Sequence, residues 1–221
     1  MRKLYYDPSS TVCRPLVMFL EEHDLRVELV AVDLRRGEHR ADWFARVNPN
    51  MALPVFEEDG FVLTESAAIL RYLAMLADSP TYPADLRARA RIDEALDWFN
   101  TGFYRDHGYG LVYPQILPHY RICDRAELRA WYEDRVAARL HILDTHMIGH
   151  AGTWVTGEDF SIADMFGAAL VTIGDLIGYS LAPYPNICRW LSAVQSRPSW
   201  DAANGAFDAW RAMMAPRALA A

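Results

Sequence analysis

Cysteine is scarce, positive charge is outnumbered, and no long apolar run interrupts the chain. Three cysteines, Cys13, Cys123 and Cys188, form no C-x-x-C pair. They are too few and too odd in number for a disulfide framework and fit reduced thiols in a cytoplasmic protein. The 22 Lys+Arg against 29 Asp+Glu leave a net charge of −7. That balance argues against duplex nucleic acid as the main partner, because neutralising phosphates takes a basic surface. The most apolar stretch, Met165 to Gly174, is cut by Asp175, so no segment is expected to span a membrane. Met1 to Tyr6 alternates as a strand would and does not show the charged region and apolar core of a signal peptide. G-x-S-x-G, a Walker loop and a dinucleotide fingerprint are also missing, which removes the common nucleophile-elbow and nucleotide-binding classes.

What is present is a globular composition: 221 residues, 52% hydrophobic and 23% charged, enough for one large domain or two compact ones. Leu4 to Tyr6 reads as a first strand, ended by Asp7 and Pro8. Leu16, Val17, Phe19 and Leu20 then recur at helical spacing behind Pro15, a residue suited to a first helical turn. Val27 to Leu34 predicts a second strand and Asp42 to Arg46 a short helix. Val55-Phe56 and Phe61 to Leu63 flank Asp59-Gly60, a hairpin signal, and a helix follows with Ile69, Leu70, Leu73 and Leu76 on one face. The order βαβαββα is a compact α/β unit over residues 1–78, and 79–84, with two prolines nearby, reads as a linker. Residues 85–221 read as all helical, with stretches near Leu86 to Phe103, Ala126 to His146, Ser161 to Ile177, Pro185 to Ser196 and Pro198 to Met213.

Hydroxyls and a thiol collect where the first strand meets the first helix, in Tyr5-Tyr6-Asp7-Pro8-Ser9-Ser10-Thr11-Val12-Cys13-Arg14-Pro15. Free amides and the positive end of the helix dipole stabilise an anion there, and a serine hydroxyl adds one more donor. An ordinary N-cap explains the same serine equally simply. Leu53-Pro54 fits either an edge strand or a cis turn, the latter leaving the Leu53 main chain free to pair with an extended ligand. Glu65-Ser66 opens another helix and would suit the ammonium and carboxylate of an amino acid, or simply a capping pair.

Taken together, these segments resemble the cytosolic glutathione S-transferases. YYDPSSTVCRP resembles the start of the serine-type enzymes, particularly the delta and theta classes and their bacterial members. NPNMALPVF resembles the family's NPxGKxP stretch with its cis-proline, and LTESAAILRYL its TES-AI-YL signature. ARARIDEALDW and FSIADMFGAAL continue the resemblance; in the latter, Ser161 and Asp164 form a capping-box pattern behind Phe160.

The resemblance implies a thioredoxin-like N-terminal domain that binds glutathione as co-substrate, a C-terminal helical bundle lining a pocket for a small hydrophobic electrophile, no metal, and a homodimer. It implies that Ser10 donates to the glutathione sulfur, with Ser9 as a rival, that Pro54 is cis, and that Leu53 pairs with the cysteinyl moiety. Glu65 and Ser66 would hold the γ-glutamyl end and His39 the glycine carboxylate. Tyr104, Tyr109 and Tyr113, with Phe103 and Tyr120, fall where the family lines its electrophile pocket. Met51-Ala52 replaces the family's Gly-Lys and removes a cation, unless Arg35 or Arg36 substitutes; Val12 stands where proline is frequent. Two further readings remain: a binding protein without catalysis, motivated by Met51-Ala52, and thiol-disulfide exchange at Cys13.

Overall fold

The computed structural model describes residues 1–123, 125–149 and 152–218. A four-stranded sheet runs in the order β2-β1-β3-β4, from β1 (Arg2–Tyr6), β2 (Glu28–Ala31), β3 (Val55–Glu58) and β4 (Phe61–Thr64). β1 pairs in parallel with β2 and antiparallel with β3, and β3 closes a hairpin with β4 through Asp59 and Gly60, both at positive φ. Alternation along β1 sets the layers. Leu4 faces the main core with Phe19 and Leu70, whereas Tyr5 joins Val32, Phe44 and Val55 on the other side of the sheet. Helices α1 (Arg14–Glu22) and α3 (Ser66–Leu76) cover the first face, and α2 (Asp42–Val47) supplies Phe44 to the second. The β2 ladder is shorter than the alternation of Val27 to Leu34 predicts, because after Val32 the chain turns into a loop held by Asp7 and Asp33.

The rest is helical: α4 (Leu86–Asp97), π-helical segments Trp98–Phe103 and Arg105–Val112, α5 (Tyr113–Ile116), α6 (Ala126–Ile142), α7 (Ile162–Thr172), α8 (Pro185–Gln195) and α9 (Pro198–Ala218). The predicted helix ending near Phe103 runs on to Ile116 without a break. Gly102, Gly108 and Gly110 lie within this helix as packing sites. A Cβ on Gly110 would meet the Tyr132 ring of α6, and one on Gly108 the Tyr104 ring. The capping box of α7 is present: Ser161 N–H donates to Asp164 Oδ2 at 2.8 Å, and the Ser161 hydroxyl accepts from Ala163 N–H.

The main core is continuous between sheet and helices. α1 lies at the junction, packed on α3 on one side and on α7 and α9 on the other. Residues Arg14 to Phe19 are therefore all buried.

Candidate active site

The ladder registers bring the predicted site residues to one end of the sheet. Tyr6 aligns with Ala31, Tyr5 with Val55, and Val55 with Thr64. The segment after β1 with Ser10, the loop after β2 with His39, the approach to β3 with Leu53, and the exit of β4 with Glu65-Ser66 thus emerge side by side.

Asp7, which directly follows β1, also organises this edge. Its buried carboxylate accepts from Ser9 N–H at 2.8 Å and the Ser9 hydroxyl at 2.7 Å through Oδ1, and from Leu34 N–H at 3.0 Å through Oδ2. Asp-Pro-Ser is an Asx-turn sequence, the signal that identifies it. The Ser10 N–H donates to the Asp7 carbonyl, and the Ser10 carbonyl accepts from Cys13 and Arg14. α1 begins with Cys13 at its N-cap and no side-chain cap, so none of the upstream hydroxyls is spent as one. Ser9 is tied to Asp7 and Thr11 Oγ1 lies 3.0 Å from the Tyr113 hydroxyl. Among the described residues, the Ser10 hydroxyl is paired with nothing but the Cys13 sulfur, a weak partner.

Cys13 itself is fully buried. Burial pushes its thiol up to about 12 against the opposing effect of the Ser10 hydroxyl, the reverse of the electropositive, accessible setting of a reactive cysteine.

Leu53-Pro54 is cis. Asn48 shapes the preceding loop by donating through Nδ2 to the Ala52 carbonyl and accepting from Asn50 N–H. Met51 is exposed at φ +50°, and neither it nor Ala52 brings a charge. Arg35 and Arg36 are otherwise engaged, Arg35 over the Trp210 ring at 5.0 Å and Arg36 against Asp33 at 3.5 Å. Glu65 holds φ +68°, a conformation rare for a residue with a side chain, and leaves its carboxylate exposed beside the buried Ser66 that starts α3. His39 lies in a short 3-10 turn, Glu38–Arg40. Its pKa is lowered by burial and then by neighbouring Arg40 and His119, with Asp7 opposing.

Opposite this edge stands a tyrosine wall. The i→i+5 bonding of the π segments, seen in Tyr104 N–H to Phe99 O and Tyr113 N–H to Gly108 O, turns residues 104, 109 and 113 to one side. The rings of Tyr104 and Tyr109 are 4.9 Å apart and those of Tyr109 and Tyr113 5.3 Å. Tyr104 and Tyr113 are buried and share a 2.6 Å hydrogen bond, while Tyr109 is 47% exposed and Tyr120 borders it. Of the predicted lining residues, Tyr109 is the most exposed, with Tyr120 half-buried beside it. His107 is buried and faces Phe103 and Tyr179, not the wall.

Comparison with known proteins decides the family. Residues 3–75 match the glutathione S-transferase N-terminal domain and residues 124–198 the C-terminal domain. Glutathione S-transferase theta-1 of Mus musculus is 46% identical over 208 residues, 90% of this chain and 84% of the relative. The chain belongs to the glutathione S-transferase family. Among solved glutathione transferases, the delta-class enzyme of Nilaparvata lugens superposes with a TM-score of 0.85 at 29% identity over 98% of this chain and 99% of that one. Human theta-2, solved with glutathione and an unknown ligand, gives 0.87 at 25% identity over 98% and 91%. Among the described residues of this transferase, no group of His, Cys, Asp and Glu stands together to hold a metal, and no helix is long and apolar enough to cross a membrane.

Proposed function

We propose that this glutathione transferase activates the thiol of glutathione at Ser10 and delivers the thiolate to an apolar electrophile held at the tyrosine wall. The observation that carries the reading is the uncommitted Ser10 hydroxyl, left over where Ser9 is bound by Asp7 and Thr11 faces Tyr113. A thiol near 8.5 is mostly protonated at neutral pH, and a donated hydrogen bond at a helix terminus lowers that value. Serine donates here and removes no proton; the thiol proton leaves to solvent. The thiolate lone pair then forms the S–C bond. In a substitution the leaving group departs with its electron pair, and in a conjugate addition the carbanion takes a proton from water.

The rest of the edge suits glutathione. Leu53 N–H and C=O are unpaired among the described residues and fit the cysteinyl main chain. Exposed Glu65 and the Ser66 hydroxyl fit the γ-glutamyl ammonium and carboxylate. His39, with Arg40 and His119 near it, fits the glycine carboxylate. Tyr109 offers the electrophile an aromatic face with a polar tip. The assembly we propose is a cytoplasmic homodimer, for which exposed Phe61, Val62 and Met75 supply apolar surface.

A binding protein without catalysis is the second reading, favoured by the uncharged Met51-Ala52 and by the engagement of Arg35 and Arg36 elsewhere. Calorimetric titration with reduced glutathione and S-hexylglutathione, on wild type and Ser10→Ala, separates the readings. The transferase reading expects both ligands to bind wild type and the variant to weaken mainly the thiol form. Absence of binding at millimolar ligand would turn the assignment to a lost glutathione site.

A further inference from the structure

We infer that Thr11 and Tyr113 form a positioning pair that fixes the Ser10 turn against the electrophile wall, so that the thiolate site and the second pocket are set by one hydrogen-bonded unit. The inference rests on the Ser10 reading and extends it to residues on both sides of the cleft. Thr11 follows Ser10 directly and is buried, and its hydroxyl lies 3.0 Å from the Tyr113 hydroxyl. Tyr113 continues at 2.6 Å to the hydroxyl of Tyr104, equally buried. Both rings touch Tyr109, the exposed member of the wall. A chain of three buried hydroxyls thus runs from the residue beside Ser10 to the helix that carries the wall.

The other restraints on the turn do not do this work. Asp7 holds Ser9 and Leu34 within the sheet-bearing part, and the Ser10 main chain bonds only to Asp7, Cys13 and Arg14. Arg14 crosses to the helical part, but toward Ala169 and Asn204 at 2.6 Å each, on α7 and α9 and not on the wall. Thr11 is the side chain that registers the turn to residues 104–113. Removing the Thr11 hydroxyl leaves Tyr113 short of one of its two buried bonds, and removing the Tyr113 hydroxyl leaves Thr11 without its partner; either frees the turn to shift. A shift at Thr11 moves Ser10, the residue before it, relative to the bound sulfur and to the electrophile together.

The test uses Thr11→Val, Tyr113→Phe, the double variant and Thr11→Ser in the full chain, with turnover, KM for glutathione and the pKa of the bound glutathione thiol as readouts. Each single variant is expected to lower kcat about fivefold or more and to raise the bound thiol pKa, with KM for glutathione little changed. The double variant is expected to be no worse than Tyr113→Phe alone, because that variant already removes the bond Thr11→Val removes, together with the one to Tyr104. Thr11→Ser keeps the hydroxyl and is expected to restore the wild-type thiol pKa. An unchanged thiol pKa in Thr11→Val and Tyr113→Phe, or effects that add in the double variant, would overturn the pairing. Should Thr11→Val not fold, Tyr113→Phe against Thr11→Ser decides by the same readouts. Ser10→Ala run alongside separates the failures. If it too leaves turnover and thiol pKa unchanged, the Ser10 reading falls; if it alone moves them, only the positioning pair falls.

Discussion

Three consecutive hydroxyls stand before α1, and their fates differ by partner. Ser9 is spent on Asp7, Thr11 on Tyr113, and Ser10 on nothing stronger than a buried sulfur. Ser9→Ala is therefore expected to leave the bound thiol pKa unchanged in a spectroscopic titration, whereas loss of the Ser10 hydroxyl raises it. A raised value in Ser9→Ala would reverse the assignment. The positions of these hydroxyls are legible in the sequence, but their spending is not, because it depends on where the Asp7 carboxylate points. His107 shows how far burial alone can act: enclosed against Phe103 and Tyr179, it has its pKa driven from 6.5 down to about 4. Between those values the unfolded chain binds a proton that the folded one refuses, so stability falls as pH drops from 6.5 toward 4, by up to about 1.4 kcal/mol per pH unit. Denaturant unfolding across that window is expected to show this slope in wild type and a shallower one in His107→Gln.

At the scale of elements, the least legible piece is the helix from Leu86 to Ile116. Glycines at 102, 108 and 110 lower helix propensity, which is why the helical signal in the sequence stops near Phe103. The fold uses them for close approach, and Gly110 lies where a Cβ would clash with the Tyr132 ring. Gly110→Ala, favourable in an isolated helix, is expected instead to destabilise the protein by about 1 to 3 kcal/mol, measured by chemical denaturation. Asp106, on the same stretch, is buried among Arg105, Arg135 and Arg139, with Arg139 Nε 2.6 Å away. Burial pushes its carboxyl upward, and the three guanidiniums outweigh burial and hold it below its ordinary value. Asp106→Asn leaves those cations without their counter-charge and is expected to cost about 3 kcal/mol. The strands, in contrast, were readable: alternation, Asp59-Gly60 and Pro54 mark β1, β3 and β4 to within a residue or two.

Over the whole molecule, α1 joins sheet and helices into one core. Arg14 enters the helical part from α1, donates to Asn204 and the Ala169 carbonyl, and lies 3.8 Å over the Phe207 ring. Burial lowers its pKa to about 10, against the pull of Tyr113 and Asp175, so it stays charged at neutral pH. At the other end of α1, Glu22 accepts two hydrogen bonds from Arg197 and one from Ser199. Arg14→Met is expected to lower stability by about 2 to 3 kcal/mol while unfolding stays a single transition. Such anchors were not legible as contacts, since they join residues more than 150 positions apart; only the family's motif order pointed to the pairing of the two parts.

Everything proposed for this edge turns on Ser10 lowering the pKa of bound glutathione. The most direct measurement is ultraviolet absorbance of the thiolate in the glutathione complex as pH is varied, for wild type and Ser10→Ala. A wild-type value well below the free thiol, rising by about one unit or more in the variant, is the predicted result. Equal values in the two proteins would contradict it.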